Sequence, residues 1–110
     1  MAGKFEIKQS TAGKFHFNLK AGNGEIILTS ETYTSKQGAE TGIASVKRNA
    51  PSDANYERKT ATNGSPYFVL KAANGEPIGR SETYSSKSAM ENGIESVKQN
   101  APTAPIVDLS

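Results

Sequence analysis

Slid against itself by 51 residues, the chain meets its own image: Phe5 to Ser52 falls on Tyr56 to Thr103 with 27 of 48 positions identical, far above the few that chance allows. The block Leu-Lys-Ala-x-Asn-Gly-Glu-x-Ile-x-x-Ser-Glu-Thr-Tyr-x-Ser-Lys stands at Leu19 to Lys36 and again at Leu70 to Lys87. Glu-x-Gly-Ile-x-Ser-Val-Lys-x-Asn-Ala-Pro follows at 40–51 and 91–102. Whatever one copy folds into, the other must fold into as well. The 110 residues are therefore read as a single domain of two tandem units, about 4–54 and 55–110. A unit of this length has a marginal core by itself, so the halves are expected to bury apolar surface against each other.

Inside a unit the apolar spacing changes from strand-like to helix-like. Phe15, Phe17 and Leu19 alternate with His16, Asn18 and Lys20, a period of two that places apolar side chains on one face of a strand; Phe68 and Leu70 repeat it. Asn23-Gly24 and Asn74-Gly75 supply the positive φ angles of a tight hairpin, and Ile27 or Ile78 anchors the returning strand. A shorter strand, Phe5 to Lys8 or Tyr56 to Lys59, precedes this pair through a turn ending in Gly13 or Gly64. A helix follows, because Ala39, Ile43, Val46 and Ala50 lie at i, i+4, i+7 and i+11, copied by Met90, Ile94, Val97 and Ala101. Ser35 and Ser86 are its expected N-caps. Lys47 and Lys98 suit the negative end of its dipole, and Pro51 and Pro102 stop it. Gly42 and Gly93 sit beside the stripe at a cost of roughly 1 kcal/mol each relative to Ala and mark the expected point of closest approach to the sheet. Pro77 and Gly79 stand where the first copy has Ile26 and Leu28, so the second copy's third strand is expected to be less regular.

Val107 lies a further 51 residues beyond Tyr56, so Ile106 to Leu109 reads as a third copy of the first strand. The expected fold is α+β: two pseudo-symmetric β-β-β-α units plus a closing C-terminal strand, in a single antiparallel sheet with two helices on one face. Strands shared or exchanged between the units, Tyr56 to Lys59 serving both, would make that sheet continuous.

The doubled Asn-Gly-Glu, Ser-Glu-Thr-Tyr-x-Ser-Lys and Gly-Ile-x-Ser-Val-Lys-x-Asn-Ala blocks resemble the YegP family of small uncharacterised bacterial proteins over nearly the whole chain. The resemblance implies a β-β-β-α-β unit, used in tandem or as a single copy that dimerises by exchanging C-terminal strands. It brings no established activity and no catalytic residues.

Composition removes several function classes. There is no Cys, hence no disulfide, thiolate nucleophile or zinc ribbon. Leu, Ile, Val and Phe total 19 of 110, a thin apolar fraction, yet the net charge of +2 is too small to hold the chain expanded. The opening residues carry Lys4 and Glu6 before any apolar run, which is no secretory signal, and no stretch reaches the roughly 18 to 20 apolar residues of a membrane span. The expectation is a small cytoplasmic, non-enzymatic protein without cofactor or metal, a monomer with internal pseudo-dimer symmetry.

Two groups of residues are candidates for contact with a partner. The first is the junction block: Glu31, Tyr33, Ser35 and Lys36, repeated as Glu82, Tyr84, Ser86 and Lys87. Backbone amides, hydroxyls and a lysine at a helix start can hold an anion; equally, the serine can cap, the tyrosine can pack on the helix, and Glu31 can pair with a neighbouring Lys. The second is the face opposite the helices, with Lys20, Lys71, His16 and Tyr67. Lysines beside rings invite comparison with single-strand nucleic-acid platforms. His16, the sole imidazole, has Tyr67 as its counterpart, so a site used by both units cannot depend on it. An unidentified protein partner, taken on an open sheet edge, is the leading function; nucleic-acid binding through the exposed face is the alternative.

Overall fold

Four turns of one design bend the chain. Gly13, Gly24, Gly64 and Gly75 have φ between 79° and 87°, a region closed to side chains with a Cβ in all but rare cases. In the hairpin after Leu19, the Gly24 amide donates to the Ala21 carbonyl at 2.9 Å and the Ala21 amide donates to that of Glu25 at 2.9 Å. Asn23 contributes differently from the sequence expectation. No non-glycine residue described has a positive φ; instead its Oδ1 accepts from the Glu25 amide at 3.0 Å, fastening a turn in which glycine alone is left-handed.

The computed structural model describes residues 3–110. β1 (Lys4–Gln9), β2 (Phe15–Lys20), β3 (Ile26–Ser30) and α1 (Lys36–Asn49) form the first unit; β4 (Tyr56–Thr60), β5 (Pro66–Lys71), β6 (Pro77–Arg80) and α2 (Lys87–Asn100) form the second, and β7 (Ile106–Asp108) ends the chain. Short 3₁₀ turns, Asp53–Asn55 and Ala101–Thr103, follow the helices. Both helices begin and end as their sequence signals require: Ser35 and Ser86 cap them, and Ala50 and Ala101 close them just before proline. The third strand has five residues in the first unit and four in the second, and its pairing shifts register at the same place in both, between Leu19 and Lys20 and between Leu70 and Lys71, so Pro77 and Gly79 do not make the second copy distinctly irregular.

One sheet runs through the molecule in the order β4-β5-β6-β3-β2-β1-β7. Two expectations are corrected here. The sheet is mixed, because β7 lies parallel to β1 with Phe5 opposite Ile106 and Ile7 opposite Asp108. Its polypeptide arrives from the end of α2, a crossover that places it parallel rather than hairpin-paired. And Tyr56–Thr60 is not shared: it is an edge strand bonded only to β5. The units meet instead at β3 and β6, where Thr29 faces Arg80 and Ser30 faces Gly79. A Cβ on Gly79 would lie 2.9 Å from the Thr29 carbonyl oxygen and 3.1 Å from Leu28 Cγ. Leu28 thus fills the central space, and the same position in the second unit must be empty of side chain.

The apolar faces of the strands and the helix stripes make one core containing Phe5, Ile7, Phe17, Leu19, Leu28, Tyr56, Phe68 and Leu70 with Ile43, Val46, Ile94 and Val97. Each helix reaches across the join: α1 touches β5 and β6 as well as β1 and β2, and α2 touches β3 as well as β5. The glycines in the helices approach both a tyrosine ring and a phenylalanine of the sheet. A Cβ on Gly42 would lie 2.4 Å from the Tyr33 hydroxyl, 2.8 Å from its Cζ and 2.9 Å from Phe17 Cε2; Gly93 meets Tyr84 in the same way.

Gly42→Ala is expected to destabilise by about 1–3 kcal/mol through this overpacking, and by much less in a Tyr33→Leu background, as thermal melts of the double-mutant cycle would register. Deleting Ala104 to Ser110 removes a fully buried alanine and uncovers β1; a lower melting temperature and concentration-dependent association in light scattering are expected.

Candidate functional site

Most of the junction block is consumed by the fold. Ser30 Oγ accepts from the Phe17 amide at 2.8 Å and donates to the Glu31 carbonyl at 2.7 Å. Ser81 does the same with Phe68 and Glu82 at 3.0 and 2.8 Å. The Tyr33 backbone forms a two-bond bridge with Phe15, at 2.7 and 2.8 Å. Its ring stacks on Phe17 at 6.2 Å between centroids, as Tyr84 does on Phe68 at 6.3 Å. Burial first, then Glu31 or Glu82 nearby, pushes both phenol pKa values up, which favours the neutral phenol in both. Ser35 accepts from the Gly38 amide at 3.0 Å and Ser86 from that of Ala89 at 3.1 Å, so the hydroxyls that could have met an anion already cap their own helices. Glu31 and Glu82 are exposed, and among the described residues neither forms an ion pair; the expected pairing of Glu31 with a lysine is not made.

The open face does not offer its cations freely. Lys20 Nζ lies 2.9 Å from Glu6 and Lys71 Nζ 2.7 Å from Glu57. The Lys20 bond holds the Glu6 carboxyl below its usual range, and the Lys71 bond does the same for Glu57. The two lysines on which a nucleic-acid face depends are thus each neutralised within their own unit. His16 is half-buried on β2 opposite Lys8, and Tyr67 half-buried on β5 opposite Lys59. Two strands intervene, roughly 14 Å of lateral spacing, and the two residues lie on opposite sides of the Asn18–Thr29–Arg80–Val69 row, so they do not converge. Tyr67 and Glu82 do come together, along a shallow cleft of about 520 Å³ shared with Thr29, Thr62 and Arg80. Among the described residues no group of acidic or histidine side chains is placed to hold a metal, and no helix is long and apolar enough to cross a membrane.

The units differ most at their outer edges. On β1, the Phe5 amide donates to the Pro105 carbonyl at 2.8 Å and the Ile7 carbonyl accepts from the Leu109 amide at 2.9 Å. Lys36, the first residue of α1, clamps the added strand by reaching Asp108 at 2.8 Å. In the second unit Tyr56 and Arg58 stand where Phe5 and Ile7 stand in the first. The Tyr56 amide is satisfied by the Asp53 carbonyl. Arg58 faces Phe68, whose amide and carbonyl are spent on the hydroxyl and amide of Ser81. The alternation of an antiparallel ladder therefore turns the Arg58 N–H and C=O outward, where no strand lies among the described residues. Its side chain bends to the helix side and joins Glu91 and Asp53, with Lys98 on the same Asp53 carboxylate. Lys87, the counterpart of Lys36, is exposed and without an ion pair among the described residues. The sequence marks both lysines as anion-binding candidates; that one clamps a strand and the other does not is hidden in it, because their local sequences are the same.

A family model described as Domain of unknown function (DUF1508) matches the chain twice, over residues 10–57 and 61–108. A UPF0339 protein of Bordetella pertussis is 60% identical over 108 residues, covering 98% of this chain and 96% of the relative. The UPF0339 protein YegP of Escherichia coli K12 is 55% identical, covering 98% of both. A solution NMR structure of a UPF0339 protein from Shewanella oneidensis superposes with a TM-score of 0.93 at 53% identity, covering 99% of this chain and 92% of that one. The solution NMR structure of yegP from E. coli, described as a protein of unknown function, also gives 0.93, at 54% identity over 99% of this chain and 94% of its own.

The clamp on β7 should respond to acid. The Lys36 bond, aided by the Ser110 hydroxyl and amide, lowers the Asp108 pKa to about 2. A carboxyl lowered on folding stabilises the folded state above its unfolded pKa, about 3.9, and loses that contribution as pH falls through its folded pKa. Protection of the Leu109 amide from hydrogen exchange is expected to fall between about pH 4 and pH 2, and to lose this acid step in Asp108→Asn.

Proposed function

The chain belongs to the DUF1508 family, as a UPF0339 protein carrying two copies of that domain, and from this premise we propose that it is a non-enzymatic interaction module that takes an extended segment of another protein onto the outer edge of β4. One observation carries the reading: the same strand edge is covered by β7 in the first unit and bare in the second. An unpaired edge presents amides and carbonyls in register for a further strand. Arg58, turned aside to Glu91, leaves that backbone accessible while keeping charge nearby, a device that discourages indiscriminate sheet growth. The ion-paired state of Lys20 and Lys71 argues against phosphate binding as the main role, since each glutamate would have to be displaced.

The test is made in cells. A photo-crosslinking residue at Lys59 should capture a defined partner, and Thr60→Pro should abolish capture, because proline on an outward edge position removes a docking N–H while leaving the ladder to β5 intact. The same residue at Lys14, far from the edge in sequence and sheet order, is the control. Capture of the same partner at equal yield from the proline variant would refute the edge reading.

A further inference from the structure

The chain carries an occupied example of the edge it leaves bare. Beside β1 the occupant runs parallel, with Ile106, Val107 and Asp108 opposite Phe5, Glu6 and Ile7, and its carboxylate rests on Lys36 at the start of α1. The elements that hold Lys36 in place are duplicated in the second unit: the serine cap, the stacked tyrosine and the glycine beneath the tyrosine hydroxyl, with closely matching geometry. Lys87 is thereby set beside β4 as Lys36 is beside β1, exposed and with no carboxylate of its own among the described residues. Arg58, held by Glu91 and Asp53, replaces Ile7, and one backbone difference trims the match. The Asp53 carbonyl takes the Tyr56 amide, the bond that Pro105 makes to Phe5, so a strand docking on β4 begins at the position of Val107.

We infer that β4 receives, in parallel orientation, a partner segment of the pattern apolar, acidic, apolar, whose carboxylate is held by Lys87. This rests on the edge reading above and adds the direction, the side-chain class and the residue that reads it. The chain's own tail is a poor occupant for another copy, because on its own β1 it competes at the high effective concentration of an intramolecular segment.

The probe is the acetylated peptide Thr-Ala-Pro-Ile-Val-Asp-Leu-Ser, titrated into the labelled full chain and followed by backbone amide shifts. Saturable shifts at Arg58, Thr60 and Lys87, with Phe5 and Ile7 unmoved, are expected. A peptide with Asn in place of Asp should bind about three- to fivefold more weakly, the scale of an exposed ion pair. Lys87→Gln should cost the same with the original peptide, and the two changes together should cost no more than either. Shifts at Phe5 and Ile7 instead, indifference to the Asn peptide or to Lys87→Gln, or absence of binding would overturn the inference, as would β4 shifts that grow with protein concentration in the absence of peptide. Binding at β4 that is lost in Thr60→Pro yet ignores the carboxylate would overturn this inference and leave the edge reading standing. Failure of crosslinking from Lys59 removes the edge reading itself.

Discussion

The backbone pairing of β3 with β6 is the constraint from which the architecture follows. It joins two near-identical units edge to edge, and near-identity is then a difficulty, since equivalent side chains compete for the space at the centre. The solution is unequal: Leu28 fills that space and Gly79 vacates it, with the Thr29 carbonyl too close for any Cβ. A chain of two faithful copies would place two leucines there, against the close packing of protein interiors. The departure of the second copy from the first at this point is thus required by the join.

A second inequality sits at the outer rims. The residues after α1 and those after α2 begin alike, with Ala-Pro, yet the first set turns through Asp53–Asn55 into a strand paired with β5, and the second crosses to lie beside β1. The first set has a hairpin partner waiting in its own unit. The second has none, and it comes to lie parallel beside β1. Seven strands from two three-stranded units leave one rim finished and one unfinished, and the unfinished rim is where the structure has most to offer another molecule.

Much of this was legible in the residues. The period of 51, the alternating strands, the helix stripes, their caps and the closing tail are local patterns, and local patterns are what sequence displays. The packing of Tyr33 on its helix was readable from its place between strand and cap. What sequence concealed were long-range choices: whether Tyr56 to Lys59 would be central or peripheral, whether the tail would run parallel, and which of two identical lysines would find a carboxylate. Each depends on which edge a strand reaches, and two copies of one motif carry no local mark to say so. The charge on the open face misled for a related reason, because Glu6 and Glu57 meet Lys20 and Lys71 only after the strands pair.

The placement of each helix over both halves has an implication for how the protein comes apart. In a solenoid, a repeat contacts its neighbours through one interface and terminal repeats can fray; here α1 and α2 each bridge the seam, so neither half retains a roof once the other melts. Denaturation should accordingly be all-or-none, with heat and urea reporting a single transition by every probe, and no half-length species persisting as a folding or proteolytic intermediate.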